Sequence, residues 1–138
     1  MLCYSTASLP DHLSARHIAE LLLPTPFRGV EFVVRPEHLC LVGERSHWLG
    51  FRIELEARGL SVRNVQLGFP FLLGPVAHSP GLSSLDPFGR SRRIEAALAA
   101  ARIAEQLGSP YVTVTTGLPE RAGDFAWQEK LFFARSEE

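Results

Sequence analysis

Apolar positions along the chain change period several times, and each change predicts an element. The opening "MLCYSTASL" is apolar and small, reads as a strand, and is closed by Pro10. In "DHLSARHIAELLLP" the residues Leu13, Ile18, Leu21 and Leu22 recur at helical spacing, and Pro24 and Pro26 stop that helix. "RGVEFVVRP" holds a short β-rich run, Val30 to Val34, entered through Gly29 and left at Pro36. "HWLGFRIELEARGL" returns to helical spacing, with Trp48, Phe51 and Leu55 on one side and Gly59 placed as a C-terminal cap. "LSVRNVQLG" predicts a third strand, and the long loop "FPFLLGPVAHSPGLSSL" follows it. Asp86 then reads as an N-cap, with Pro87 at the first helical position. In "RIEAALAAARIAEQLG" the spacing predicts a helix with an apolar stripe of Ile94, Ala97, Leu98, Ala101, Ala104 and Leu107, ended by Gly108. "SPYVTVTTG", Ser109 to Gly117, reads as a fourth strand, "LPERAGD" as a loop, and "FAWQEKLFFARSEE" as the start of a fourth helix.

Strict alternation of strand and helix argues for a parallel sheet built from right-handed βαβ units. Glu31, Gln66, Thr113 and Thr115 interrupt otherwise apolar strands. That mixture suits a barrel, or a sheet whose strand ends meet a ligand. There is no domain linker, no low-complexity tract and no repeat beyond the βα unit.

Composition narrows the class. A chain of 138 residues suits one domain with a sizeable core. The formal net charge of -1 gives no general field for nucleic acid or an anionic membrane. Cys3 and Cys40 form no Cys-x-x-Cys pair and sit near no dense His cluster, which argues against a zinc site or disulfide framework and fits a reducing, cytoplasmic setting. No stretch approaches the roughly 20 apolar residues that a membrane helix needs. His12, His17, His38 and His47 are scattered, and His12 and His17 are not at i, i+4 spacing, so no metal ligand is assigned in this chain.

In parallel α/β folds ligands sit beyond the C-terminal ends of the strands, because loops there vary while packed layers hold them. The candidates are therefore Ser5 and Thr6, Glu31 with Arg35, Gln66 with the loop carrying His78, and Thr115, Thr116 and Gly117. Two readings stand for each. Glu31 is a site carboxylate, or a structural acid bonded to a neighbour, since a buried acid without a partner is costly. His78 is a substrate donor or proton carrier in a long loop, or a surface histidine. Thr115 and Thr116 contact substrate or are plain strand residues, and Gly117 admits substrate or only permits a turn. In "GRSRR", Arg90, Arg92 and Arg93 at a helix start hold a phosphate, with Arg90 and Arg93 the substrate-binding candidates, or form a solvated charged face.

"GVEFVV", "LEARGLSVRNVQLG" and "DPFGRSRRIEAALAAARIAEQLGSPYVTVTTG" together resemble the first half of a xylose-isomerase-like TIM barrel, nearest the sugar phosphate isomerase/epimerase group. The order and spacing of these stretches carry the resemblance, which covers nearly the whole chain. It implies one partial TIM-barrel domain over residues 1–138, an α/β fold of four parallel βα units with the chain ending in the fourth helix. A whole barrel has about 250 residues, so half a barrel is expected.

The resemblance also implies chemistry. It suggests metal-assisted proton transfer on a sugar, sugar phosphate or related polyol, with Glu31 and His78 as catalytic candidates. A divalent metal (Mn, Mg, Co or Zn) would find its principal ligands outside this chain. Thr115 and Thr116 stand where some relatives carry a metal-binding His. That, with the neutral charge, argues against a DNA role. Alone, the chain is expected to be inactive and to form a homodimer through open sheet edges. The alternative is a non-catalytic binding or interaction module derived from the barrel. A small doubly wound nucleotide-binding domain is disfavoured, because "STASLPDHL" has no glycine for a phosphate loop.

Overall fold

The computed structural model of the chain describes residues 1–10, 12–35 and 45–117. The expected fourth helix, the exit of the second strand at Pro36, His38 and Cys40 lie outside the described residues. Among the described residues four strands form one parallel sheet: β1 (Cys3–Ser5), β2 (Gly29–Val33), β3 (Ser61–Leu67) and β4 (Val112–Val114), in the spatial order β1-β2-β3-β4. Helices α1 (Ala15–Leu22), α2 (Arg45–Ala57) and α3 (Pro87–Gln106) connect them. Sequential order with right-handed crossovers puts every helix on the same face of the sheet. One apolar cluster accordingly joins Ile18 of α1, Phe51 and Leu55 of α2 and Ala100 and Ile103 of α3 to Val30, Phe32, Val62, Val65 and Leu67 of the strands. A doubly wound domain would have helices on both faces, so this is barrel-type geometry.

Local chemistry sets the boundaries. The first strand is shorter than its apolar run suggests, because Thr6–Ser8 turn into a 3-10 helix capped by Ser5. The Thr6 hydroxyl then accepts from the Val33 amide at 2.9 Å, tying the end of β1 to β2. β2 starts at Gly29 because the glycine is itself paired, to Cys3. A Cβ there would lie 2.5 Å from the Cys3 sulfur. Ser14 caps α1 by accepting from the His17 amide. Gly59 and Gly108 adopt φ of +72° and +67° just beyond α2 and α3, as their placement after apolar stripes implies. Asp86 caps α3 and accepts from the Phe88 and Gly89 amides, with Pro87 at the start of the helix.

The inner face of α3 differs from the expected stripe. Ala104 and Leu107 are buried and Ala97 packs at the core margin, but Ile94, Leu98 and Ala101 face outward. The buried row is Arg93, Ala96, Ala100, Ile103, Ala104 and Leu107. Apolar residues fall on more than one face of this helix, so periodicity fits two faces. The small Ala96 and Ala100 select the face that lets the helix approach β3 and β4. In α1, similarly, Ile18, Ala19 and Leu22 are buried while Leu21 is exposed.

Candidate functional site

The face of the sheet away from the helices carries a polar row. Ser5 pairs with Glu31 in register, and Glu31 with Asn64 across a bulge between Val30 and Glu31. The Ser5 hydroxyl donates to Glu31 Oε1 at 2.6 Å, and Asn64 Nδ2 donates to Glu31 Oε2. Asn64 Nδ2 also donates to Thr113 Oγ1 at 2.9 Å, so the row runs through all four strands. Both carboxylate oxygens of Glu31 thus accept from protein donors, which answers the cost of half-burying an acid. Asn64 is the member that sequence reasoning did not single out. Its signal was an asparagine, poorly suited to strands, inside the alternation of β3.

Beyond the C-terminal end of β4 lies an open cleft of about 400 Å³, lined among the described residues by His78, Val114, Thr115, Thr116 and Gly117. Four of the sequence candidates are therefore brought together there. Glu31 and Gln66 are not in that lining. Asn64, the partner of Glu31, lies three residues before Leu67, the partner of Val114, so Glu31 sits deeper in the sheet. Gln66 is paired with Thr113, its side chain folded beside Gly68. Arg35 is buried next to Phe69, its guanidinium carbon 5.3 Å from the ring centroid, and it donates to the carbonyls of Ala7 and Leu9.

His78 holds an uncommon backbone, φ 56°, in the left-handed region. Its amide donates to the Pro70 carbonyl at 2.5 Å. Its Nδ1 is buried and has no hydrogen-bond partner among the described residues. Thr115 extends β4 by donating from both its amide and hydroxyl to the Leu67 carbonyl, the hydroxyl at 2.9 Å. Gly117 closes the strand at φ +95°, and a Cβ there would lie 2.4 Å from Gly81 Cα. The glycine is therefore required by a close approach of two backbones, the loop's and the strand's.

The three arginines of "GRSRR" turn toward the loop. Arg90 Nη1 donates to the Ser84 carbonyl at 2.7 Å, Arg92 Nη2 to Leu73 at 2.8 Å, and Arg93 Nε to Pro80 at 2.8 Å. Burial lowers the Arg93 guanidinium from its ordinary range. The free amides at the start of α3 already donate to Asp86. For a metal, the fit is poor: among the described residues no group of three or more His, Cys, Asp or Glu gathers. No helix among them is long and apolar enough to cross a membrane.

A xylose isomerase domain protein from Planctomyces limnophilus superposes on this chain with a TM-score of 0.60 and 21% identity, over 94% of this chain and 45% of its own. An AP endonuclease of family 2 from Brucella melitensis does so with a TM-score of 0.64 and 14% identity, over the same shares. The fold is that of part of a TIM barrel, an open parallel sheet with its helices on one face. This chain spans 45% of the length of each of those two structures. No protein-family model matches the sequence, and no curated protein does. At these identities the likeness speaks for the architecture alone, an open parallel sheet of four strands with three connecting helices among the described residues.

Proposed function

We propose that the chain forms part of the active site of a barrel enzyme acting on a sugar, sugar phosphate or related polyol by proton transfer. The observation that carries this reading is His78 in the wall of the cleft, held in a left-handed backbone beside Thr115, Thr116 and Gly117 at the C-terminal end of β4. Parallel barrels bind ligands at that end. A histidine is suited to take a proton from the hydroxyl-bearing carbon next to a sugar carbonyl, the electron pair moving onto the carbonyl oxygen, and to return it to the former carbonyl carbon while the hydroxyl proton passes to the former carbonyl oxygen. The exposed Thr116 hydroxyl would bind a substrate hydroxyl. Thr115, already donating to Leu67, would accept one. Glu31 would act from deeper in the barrel, oriented by Ser5 and Asn64. The divalent metal of such chemistry would draw its principal ligands from outside the described residues.

One of the solved structures that this chain resembles is described as an AP endonuclease. Phosphodiester chemistry on DNA is the weaker reading here. The net charge is -1, and Arg90, Arg92 and Arg93 each donate to a loop carbonyl. A basic surface for a phosphate backbone would need such groups displayed.

Ligand-observed NMR tests the reading. Free ketoses, aldoses, a cyclic polyol and sugar phosphates are titrated into the chain and into His78→Asn. Saturation transfer to at least one of these classes, weakened in the variant, is expected. No transfer to any of them, or transfer indifferent to His78, would sink it. A transfer seen only with an oligonucleotide would favour the endonuclease-type reading.

A further inference from the structure

We propose that Arg93 is a positioning residue for His78, acting through the carbonyl of Pro80. The inference deepens the functional reading of His78, but its test uses no ligand, so the two can fail separately.

The loop between β3 and α3 is held from two sides. From the helix side, Arg92, Arg93 and Arg90 grip the carbonyls of Leu73, Pro80 and Ser84. Gly89 lies so close that a Cβ would sit 2.9 Å from Pro80 Cβ. From the strand side, the Leu82 amide donates to the Thr116 carbonyl at 2.7 Å, and Gly117 packs on Gly81 and on the His78 carbonyl. His78 lies between these two grips, in a conformation that a non-glycine residue keeps only when its surroundings enforce it.

Arg93 differs from the other two arginines. It is 1% exposed, whereas Arg92 is exposed and Arg90 half-buried. Its bond to Pro80 is charge-assisted and shielded from water, which makes it stronger than a surface contact. Among the described residues its buried Nη1 has no hydrogen-bond partner, so the Nε contact to Pro80 anchors the guanidinium. A long cation at a core position of an otherwise alanine-rich helix face is costly to retain for packing alone. Its contact falls two residues from the histidine of the cleft.

The experiment compares Arg93→Met, Arg93→Lys and Arg92→Met with the parent chain. Two signals are read: the imidazole carbon–proton cross-peaks, assigned through His78→Asn, and amide hydrogen exchange at Leu82. Arg93→Met is expected to move the His78 peaks, leave those of His12, His17 and His47 in place, and speed exchange at Leu82 about tenfold or more. Arg93→Lys, which keeps a charged donor, is expected to recover much of both. A folded Arg93→Met with unchanged His78 peaks, or an Arg92→Met that moves them as far, overturns the proposal. If Arg93→Met does not fold, Gly89→Ala decides. Its methyl would meet Asp86 Oδ2 at 2.7 Å and Pro80 Cβ at 2.9 Å, pressing on the loop from the same side, and unmoved His78 peaks in that variant overturn the proposal as well.

Discussion

On the helix-covered face of the sheet, Val30, Phe32, Val62, Val65 and Leu67 are at most 2% exposed and lock into one apolar cluster with the three helices. On the opposite face of the same strands, Ser5, Glu31, Asn64 and Thr113 are joined by hydrogen bonds. The covered face draws its stability from burial, which is non-directional and tolerant of exact geometry. The polar face depends on register, because each donor must meet one acceptor. A one-residue slip of a strand would point the row into the core and the valines outward. The two faces therefore specify the same alignment from opposite sides, and each can be broken without touching the other.

The largest effect is expected on the covered face. Phe32 is fully buried, its ring tilted against that of Phe51 with centroids 5.9 Å apart. Phe32→Ala should cost about 3–5 kcal/mol in urea denaturation, enough to unfold a marginal domain. A loss under about 1 kcal/mol would mean that this face is not the core. Next comes the end of β4. Gly117→Ala forces a side chain onto a φ of +95° and into Gly81 Cα, and should cost about 2–4 kcal/mol. It should also accelerate hydrogen exchange in residues 78–82. Wild-type stability in that variant would show that the strand and the loop are not in contact.

The polar face should respond more weakly. Glu31→Gln keeps the shape but puts an amide group against one of the two donors, Ser5 or Asn64, and a loss of about 1–2 kcal/mol is expected. A double-mutant cycle with Asn64→Ala sharpens this, since residues sharing a hydrogen bond should couple by about 0.5 kcal/mol or more. Additive losses would mean that the row is a geometric coincidence and that Glu31 is free for another role.

Much of this fold is legible in the sequence because local chemistry and packing agree. The Asp86–Pro87 start, the glycine stops at Gly59 and Gly108, and the Trp48–Phe51–Leu55 stripe all stand where their residue types place them. The candidates His78, Thr115, Thr116 and Gly117 could be gathered because strand ends in a parallel sheet converge on one rim. What could not be read is pairing between distant side chains. Nothing in a linear pattern says that Glu31 will find Ser5 and Asn64. Nor does it say that the charged run Arg90, Arg92 and Arg93 will turn to carbonyls of the preceding loop rather than to solvent. Those contacts depend on a bulge in β2–β3 pairing and on the path of a long loop.

The smallest expected effect bears on the helix where the pattern was ambiguous. Along α3 the apolar residues fill more than one face, and two registers compete: one burying Ile94 and Leu98, the other Ala96 and Ala100. The structure has Leu98 52% and Ile94 44% exposed, with Ala96 at 6% and Ala100 at 0%. Leu98→Gln should therefore change stability by no more than about 0.5 kcal/mol, as at other surface sites. Ala100→Gln, a far milder change in helix propensity than in volume, should cost several times that, because its longer, polar side chain has no room between α3 and the sheet. The pair is informative through its sign. A large loss at Leu98 with tolerance at Ala100 would rotate α3 about its axis. It would also carry Arg93 away from Pro80, undoing the grip on the His78 loop along with the packing.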